Sequence, residues 1–393
     1  MNMDPVIVVW LLYCGTFVAI PTAHYWYMKR WSSRPWGLTT ITEWNPSVTV
    51  LVPTRNEERT IALKLENLRE IKYPKDRLEV IVIDDKSTDA TIARAEEFRK
   101  DNGEMNIKIL IKTKWGGKSE SLNLGLQESS GEVVVVSDAD CFWTKETLPQ
   151  SLKYLSNPTV GAVTGLESIL NPPNSIATRS EVLYDDIVHV IRVGESKIQS
   201  TVIFQGGFSA YKRGALDRFD TINDDSGTAL SIIQKGLRTI LVPEALVFTS
   251  FPVSLAEKAG IKLRRAVQLI KVWLSCLRLL LKNKLRLSLR VFIPEFYLYF
   301  LQPPLFVVLA VFSALLAAGN FWIFMLIICF LAPVLVVPKL RMMFGELVQG
   351  VCILLLAMIS VGFGRTMPVW KSSSQSRSVV TREALEALGL LSN

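Results

Sequence analysis

The chain has 393 residues, 49% of them hydrophobic, a mean hydropathy of +0.29 and a formal charge of +8. That length holds one sizeable α/β domain and more, and the apolar excess goes beyond what a soluble core uses. Five dispersed cysteines exclude a disulfide framework or a CxxC zinc site, and neither His24 nor His189 stands at ligand spacing, so any metal chemistry must use carboxylates and a hard cation.

The first element is an apolar stretch from Val6 to Ile20, edged by Pro21, by the group His24, Tyr25, Trp26 and Tyr27, and then by Lys29, Arg30 and Arg34. It reads as a transmembrane helix within residues 1–30, with an aromatic belt at the interface. The basic residues follow the apolar run, which argues against a signal peptide and places the following chain in the cytoplasm by the positive-inside rule.

Residues 45–250 read as a soluble domain in which β-branched runs at 47–52, 78–84, 107–111 and 132–138 alternate with helix-patterned stretches. This pattern predicts a mostly parallel sheet covered on both faces, with ligands bound beyond the carboxyl ends of its strands. After the first strand comes the turn PTRNEE, residues 53–58, and after the second DDKSTD, residues 84–89. Both offer carboxylates and amides to a nucleobase or ribose, although helix capping by Thr54, Asn56, Ser87 or Asp89 explains either turn alone. The stretch Gly116, Gly117, Lys118, Ser119 offers a flexible turn and a cation for phosphate, and a Walker A loop would need glycine where Lys112 stands.

The fourth strand ends in Asp138, Ala139, Asp140, two carboxylates that leave a buried strand together and can converge on one divalent cation bridging two phosphates. Alone the triplet is more often a solvated turn. Downstream, Asn223, Asp224, Asp225 precede a helical pattern. They read either as a helix cap or as a source of a general base, with Asp225 taking the proton of an attacking hydroxyl.

From Glu257 to Arg290 ten basic residues face a single acid, Glu257, and apolar residues such as Ile261, Val267, Ile270 and Trp273 interleave with them. Residues 251–290 therefore read as basic amphipathic helix on an anionic membrane surface; no nucleic-acid motif accompanies them. Residues 291–366 contain three apolar runs, near 296–318, 321–337 and 347–363, and a polar tail closes the chain at 367–393. Three further crossings would leave that basic tail outside, against the positive-inside rule, so either one run is re-entrant or interfacial or the rule fails.

Taken in order, PTRNEE, DDKSTD, GGKSESLN, the DAD triplet and NDDSGTAL resemble the membrane-bound family 2 glycosyltransferases of the GT-A fold, the group of the cellulose, chitin, hyaluronan and poly-N-acetylglucosamine synthases. The resemblance covers roughly residues 45–275. It implies a Rossmann-like GT-A domain set between transmembrane helices, and an integral protein of the cell membrane with its catalytic domain in the cytoplasm. It implies an inverting hexosyltransferase, using a nucleotide diphosphate sugar such as a UDP-sugar, Mg2+ or Mn2+, and a lipid or polysaccharide acceptor at the bilayer. Pro53, Asn56, Glu57, Asp85, Lys118, Asp138 and Arg265 would then hold the donor. Asp138 and Asp140 would hold the metal, Asp225 would be the base, and Gly206, Gly207 and Asp224 would meet the acceptor.

The family's Q/RxxRW signature is only partly kept, since Lys262 and Ala266 replace its first and last residues while Arg265 remains. Losing the tryptophan removes a stacking surface for a sugar, so transfer of a single sugar stands beside processive polymer synthesis. The tail from Trp370 to Arg377 resembles an ending that in some relatives approaches the nucleotide. Two other readings compete: a conduit for a lipid-linked sugar, for which the apolar runs hold few ionisable residues, and a membrane nucleotidyltransferase, which would release pyrophosphate.

Overall fold

A computed structural model describes residues 4–171, 174–221, 223–364 and 379–392, and the Trp370 to Arg377 segment lies outside the described residues. Helix α1, Pro5–Ser32, starts at Asp4, whose carboxylate accepts the Val6 N–H, and runs 28 residues to the soluble domain.

In that domain the β-branched runs become strands: β1 Val48–Thr54, β2 Leu78–Asp84, β3 Asn106–Ile111 and β4 Val133–Val136. Every residue of β1 and β4 is buried, as expected of strands covered on both faces. Helices α2 Ile61–Arg69, α3 Thr91–Asp101 and α4 Lys118–Glu128 return the chain between them. Then follow β5 Cys141–Trp143, α5 Thr147–Leu155, β6 Val160–Ile169, α6 Ile176–Ile198, β7 Ser209–Lys212, α7 Ser226–Gln234 and β8 Arg238–Thr249. The eight strands are ordered β3-β2-β1-β4-β7-β6-β8-β5. Pairings among β1, β2, β3 and β4 and between β6 and β8 are parallel, whereas β7 runs against both β4 and β6, and β5 against β8. The direction of winding changes between β1 and β4, which opens a crevice at their carboxyl ends.

Helix α8, Leu255–Leu281, leaves the domain and is followed by α9 Leu289–Phe296, a π turn Tyr297–Leu301, α10 Gln302–Gly319, α11 Phe321–Val336 and α12 Pro338–Gly362. By length and composition α1, the continuous Leu289–Gly319 helix and α12 can cross a membrane, and α11 is a shorter apolar helix. Helix α1 packs along α10, where the Trp10 indole donates to Ser313 Oγ at 2.8 Å and the Tyr13 hydroxyl to the Leu305 carbonyl at 2.7 Å. Deeper, Arg192 of α6 pairs with Glu195 and Glu295, each at 2.8 Å, and His24 lies 3.6 Å from Glu295, so one buried polar cluster ties α1, α6 and α9 together.

The basic stretch divides in two. Arg278, Lys282, Lys284, Arg286 and Arg290 are exposed, as a surface stripe requires. Lys258 and Lys262 instead turn inward, where both meet Glu181 of α6 and Glu346 of α12 within 3.1 Å. Helical spacing shows which residues share a face; it does not show that acids 80 residues away will cover that face.

The last described segment, which contains helix α13 Arg382–Ala387, folds back onto the soluble domain. Val380, Leu385, Leu390 and Leu391 are buried against Phe142 and Leu170, Arg382 pairs with Glu66, and the Ser392 N–H donates to Glu70 at 2.7 Å.

Candidate active site

The crevice at the β1/β4 switch collects the predicted residues from both sides. Asn56, in a left-handed conformation with φ 55°, ends the β1 turn, and its side-chain oxygen accepts the Thr88 N–H at 2.8 Å, while Ser87 accepts the Asn56 N–H at 2.9 Å. The two turns are thus laced to each other. Pro53 is buried within β1, and Glu57 is buried at the start of α2, where its carboxylate accepts the Thr60 hydroxyl at 2.8 Å. Asp85 is fully buried: it takes Lys112 Nζ at 2.8 Å and the N–H groups of Gly116 and Gly117 at 3.0 and 2.8 Å. It therefore enters the site by fixing the glycine loop, and offers no exposed carboxylate. Gly117, with φ 83°, then turns the chain into α4 at a conformation that L side chains rarely adopt.

That turn aims Lys118, the first residue of α4, into the carboxylates. Its Nζ lies 2.9 Å from Asp138, 3.0 Å from Asp224 and 3.8 Å from Asp225. Three acids from two segments more than 80 residues apart thus share one ammonium. Burial alone would lower the Lys118 pKa, but the attraction of Asp138, Asp224 and Asp225 outweighs it and holds the ammonium well above its ordinary value. Asp225 moves the other way for a carboxylate: burial first, then the neighbouring charges of Asp224 and Asp138, push it well above its ordinary value against the pull of Lys118 and Arg265. A raised pKa makes the ionised carboxylate a stronger base than an ordinary surface aspartate. Its position is set by Asn223, whose side-chain oxygen accepts the N–H groups of Asp225 and Ser226 at 3.1 and 2.7 Å and so starts α7. Asn223, and not Asp225, supplies the side-chain cap of α7.

Ligand atoms of Asp138, Asp140 and Cys141 lie within 4.8 Å of one another. The acidic turn is closed by the Cys141 N–H on the Asp138 carbonyl at 3.2 Å and is anchored at its start by the Asp138 N–H on the Gly206 carbonyl at 3.1 Å. Gly206 itself has no room for a side chain: an added Cβ would stand 2.5 Å from Asp138 Oδ2 and 2.7 Å from Lys118 Nζ. Both are ends of flexible side chains, so Gly206→Ala is expected to melt within a few degrees of the parent and yet lose about a hundredfold in turnover, because the displaced groups are those that would meet the donor. Turnover within twofold of the parent would show that this approach does not matter.

Two residues complete the cluster. Arg265 of α8 faces it: burial would lower its pKa, but Glu167, Glu181, Asp185 and Asp138 raise it. Glu167 of β6 was not anticipated; burial raises its pKa, Arg265 opposes this, and Asp138 and Asp140 add to it. It lies on an extended strand with no motif around it, so no local signal marks it. Gly207, by contrast, places its carbonyl on the indole N–H of Trp143 at 2.8 Å, away from the carboxylates.

A mostly parallel α/β sheet carrying an acidic triplet at its switch point, a lysine from a glycine turn and an acid pair at a helix start defines a GT-A domain. The model for "Glycosyl transferase family 2" matches residues 49–219. A beta-monoglucosyldiacylglycerol synthase of Synechocystis sp. is 34% identical over 136 residues, 35% of this chain and 28% of that one. A poly-beta-1,6-N-acetyl-D-glucosamine synthase of Staphylococcus epidermidis is 27% identical over 170 residues, 43% of this chain and 40% of that one. The matched segment thus spans well under half of these curated relatives. Among solved structures, a mannosyltransferase from Pyrobaculum calidifontis in complex with GDP-Man and Mn2+ superposes with a TM-score of 0.78 at 29% identity, over 91% of this chain and 99% of that one. Residues 49–219 are thus a glycosyl transferase family 2 domain.

Proposed function

We propose that the protein is an inverting glycosyltransferase that moves a sugar from a nucleotide diphosphate donor onto a membrane-associated acceptor at the cytoplasmic face. The observation that carries this reading is the convergence of Asp138, Asp224 and Asp225 on Lys118 in the crevice at the carboxyl ends of β1 and β4. Asp225 takes the acceptor's proton, and Arg265 and Lys118 face the departing diphosphate. Asp138 and Asp140 fit a divalent cation, because they present hard oxygen donors close together and Asp138 already attracts the Lys118 ammonium. Such an ion, when bound, would offset the charge on the leaving nucleotide. The Mn2+ and GDP-Man bound to the Pyrobaculum relative support this assignment.

The acceptor side favours single transfer over processive synthesis. Ala266, where the family signature has tryptophan, is buried with Val267 and Ile270 against Ile353 and Ala357 of α12, so helix packing fills the place of a sugar-stacking ring. Incubation with UDP- and GDP-sugars, lipid extracts and Mn2+, followed by separation of lipid-extractable from polymeric product, is expected to place the label in the lipid fraction. Label confined to high polymer would reverse this choice, and release of pyrophosphate would replace the transferase reading with the nucleotidyl one.

The membrane arrangement follows from parity. The tail at Val380–Leu391 packs on the same soluble domain that α1 leads into, so an even number of crossings separates them. Helices α10 and α11 supply two, and α12, fastened to α8 through Glu346 and Ala357, lies along the membrane surface. With two C-terminal crossings the basic tail stays on the side of the soluble domain. A reporter fused after residue 393 is expected on the same face as the soluble domain; a reporter on the opposite face would refute the two-crossing arrangement.

A further inference from the structure

Strand β5, directly after the acidic turn, is three residues long and lies at the edge of the sheet, paired only with β8. In an antiparallel pair alternate residues direct their backbone groups away from the partner, and at an edge those groups must find other partners. Here Cys141 and Trp143 point outward, and α2 supplies what a further strand would. Lys64 Nζ donates to the Cys141 carbonyl at 2.7 Å. The Asn67 side chain accepts the Trp143 N–H at 2.8 Å and donates to the Trp143 carbonyl at 2.9 Å, and it also donates to the Leu390 carbonyl of the folded-back tail at 2.8 Å. Lys64 is fully buried, lies 4.2 Å over the Trp143 ring, and feels the charges of Asp138 and Asp140. Burying an ammonium against a carbonyl is costly, and a leucine would fill the same space.

The fully buried Trp143 carries the connection back to the reactive groups. Its indole N–H donates to the Gly207 carbonyl, and the adjoining Gly206 carbonyl holds the Asp138 N–H. Hydrogen bonds thus link helix α2, Trp143 and the glycine loop to the turn from Asp138 to Cys141. We propose that Asn67, Lys64 and Trp143 are positioning residues that set the separation of Asp138 and Asp140 and so the affinity of the site for its divalent cation. This rests on the metal reading above and adds a determinant that lies outside the acidic triplet.

The test is direct Mn2+ binding to the full chain in detergent, followed by electron paramagnetic resonance of free Mn2+, with melting measured in parallel. Asn67→Leu, which keeps the volume and the net charge, is expected to weaken Mn2+ binding about tenfold, in line with the effect of outer-shell partners at metal sites. Trp143→Phe, which removes only the indole donor and keeps the ring, is expected to shift it in the same direction and decides the matter if Asn67→Leu does not fold. Leu63→Ala, on the same helix but facing the tail, is expected to lower the melting temperature and leave Mn2+ affinity unchanged. Folded Asn67→Leu and Trp143→Phe variants that bind Mn2+ as the parent does would overturn the assignment. A parent chain that binds no Mn2+ would overturn the metal reading itself, and with it this one.

Discussion

Asp225→Asn is expected to reduce turnover by about a thousandfold while donor binding stays within about twofold, the scale on which a positioned general base acts. The amide keeps the size of the side chain, and the N-terminus of α7 is capped by Asn223, so the helix start survives the change. The pH profile separates this role from a structural one. The base works only when ionised, and its pKa is raised by burial, Asp224 and Asp138, so activity should fall as pH drops through a value well above the ordinary aspartate range. Lys118 is the nearest charge opposing that rise. In Lys118→Met the acidic limb should therefore move to still higher pH, whereas in Asp225→Asn it should vanish from the residual activity. Unchanged limbs in both variants would remove Asp225 from the reaction.

The second large effect is expected at Asp140. Asp140→Asn removes one of two hard, charged donors from the triplet, and should abolish saturable Mn2+ binding and cost about a thousandfold in turnover, equivalent to about 4 kcal/mol of charge stabilisation. Chelation of the parent enzyme should give the same loss, reversed by Mn2+. Full activity of the parent after exhaustive chelation would mean that Arg265 and Lys118 neutralise the diphosphate unaided.

Much of this site was legible in the sequence because its residues follow strands whose burial leaves no ambiguity. Three of the four β-branched runs form almost fully buried strands, with β3 at the sheet edge partly exposed, and polar residues directly after such strands fall at one end of the sheet. What the sequence does not carry is contact between distant segments. Asp85 reads as a free carboxylate on a turn, yet Lys112 and two backbone N–H groups surround it. Lys258 and Lys262 read as part of a basic surface, yet Glu181 and Glu346 draw them inward. Glu167 sits on a strand with nothing polar in register to mark it, and the service of α2 to β5 depends on β5 being an edge strand, which only the assembled sheet order reveals. The membrane arrangement was the least legible part, because apolar length alone does not say which of the C-terminal helices cross.

The measurement that tests the central claim most directly is the anomeric configuration of the first product, read by proton NMR before it can equilibrate. A single displacement at the Asp138, Asp225 and Lys118 cluster requires the new glycosidic bond to have the configuration opposite to that of the donor's sugar. A product that retains the donor's configuration would contradict the account, because one base facing one leaving group has no second displacement to restore it.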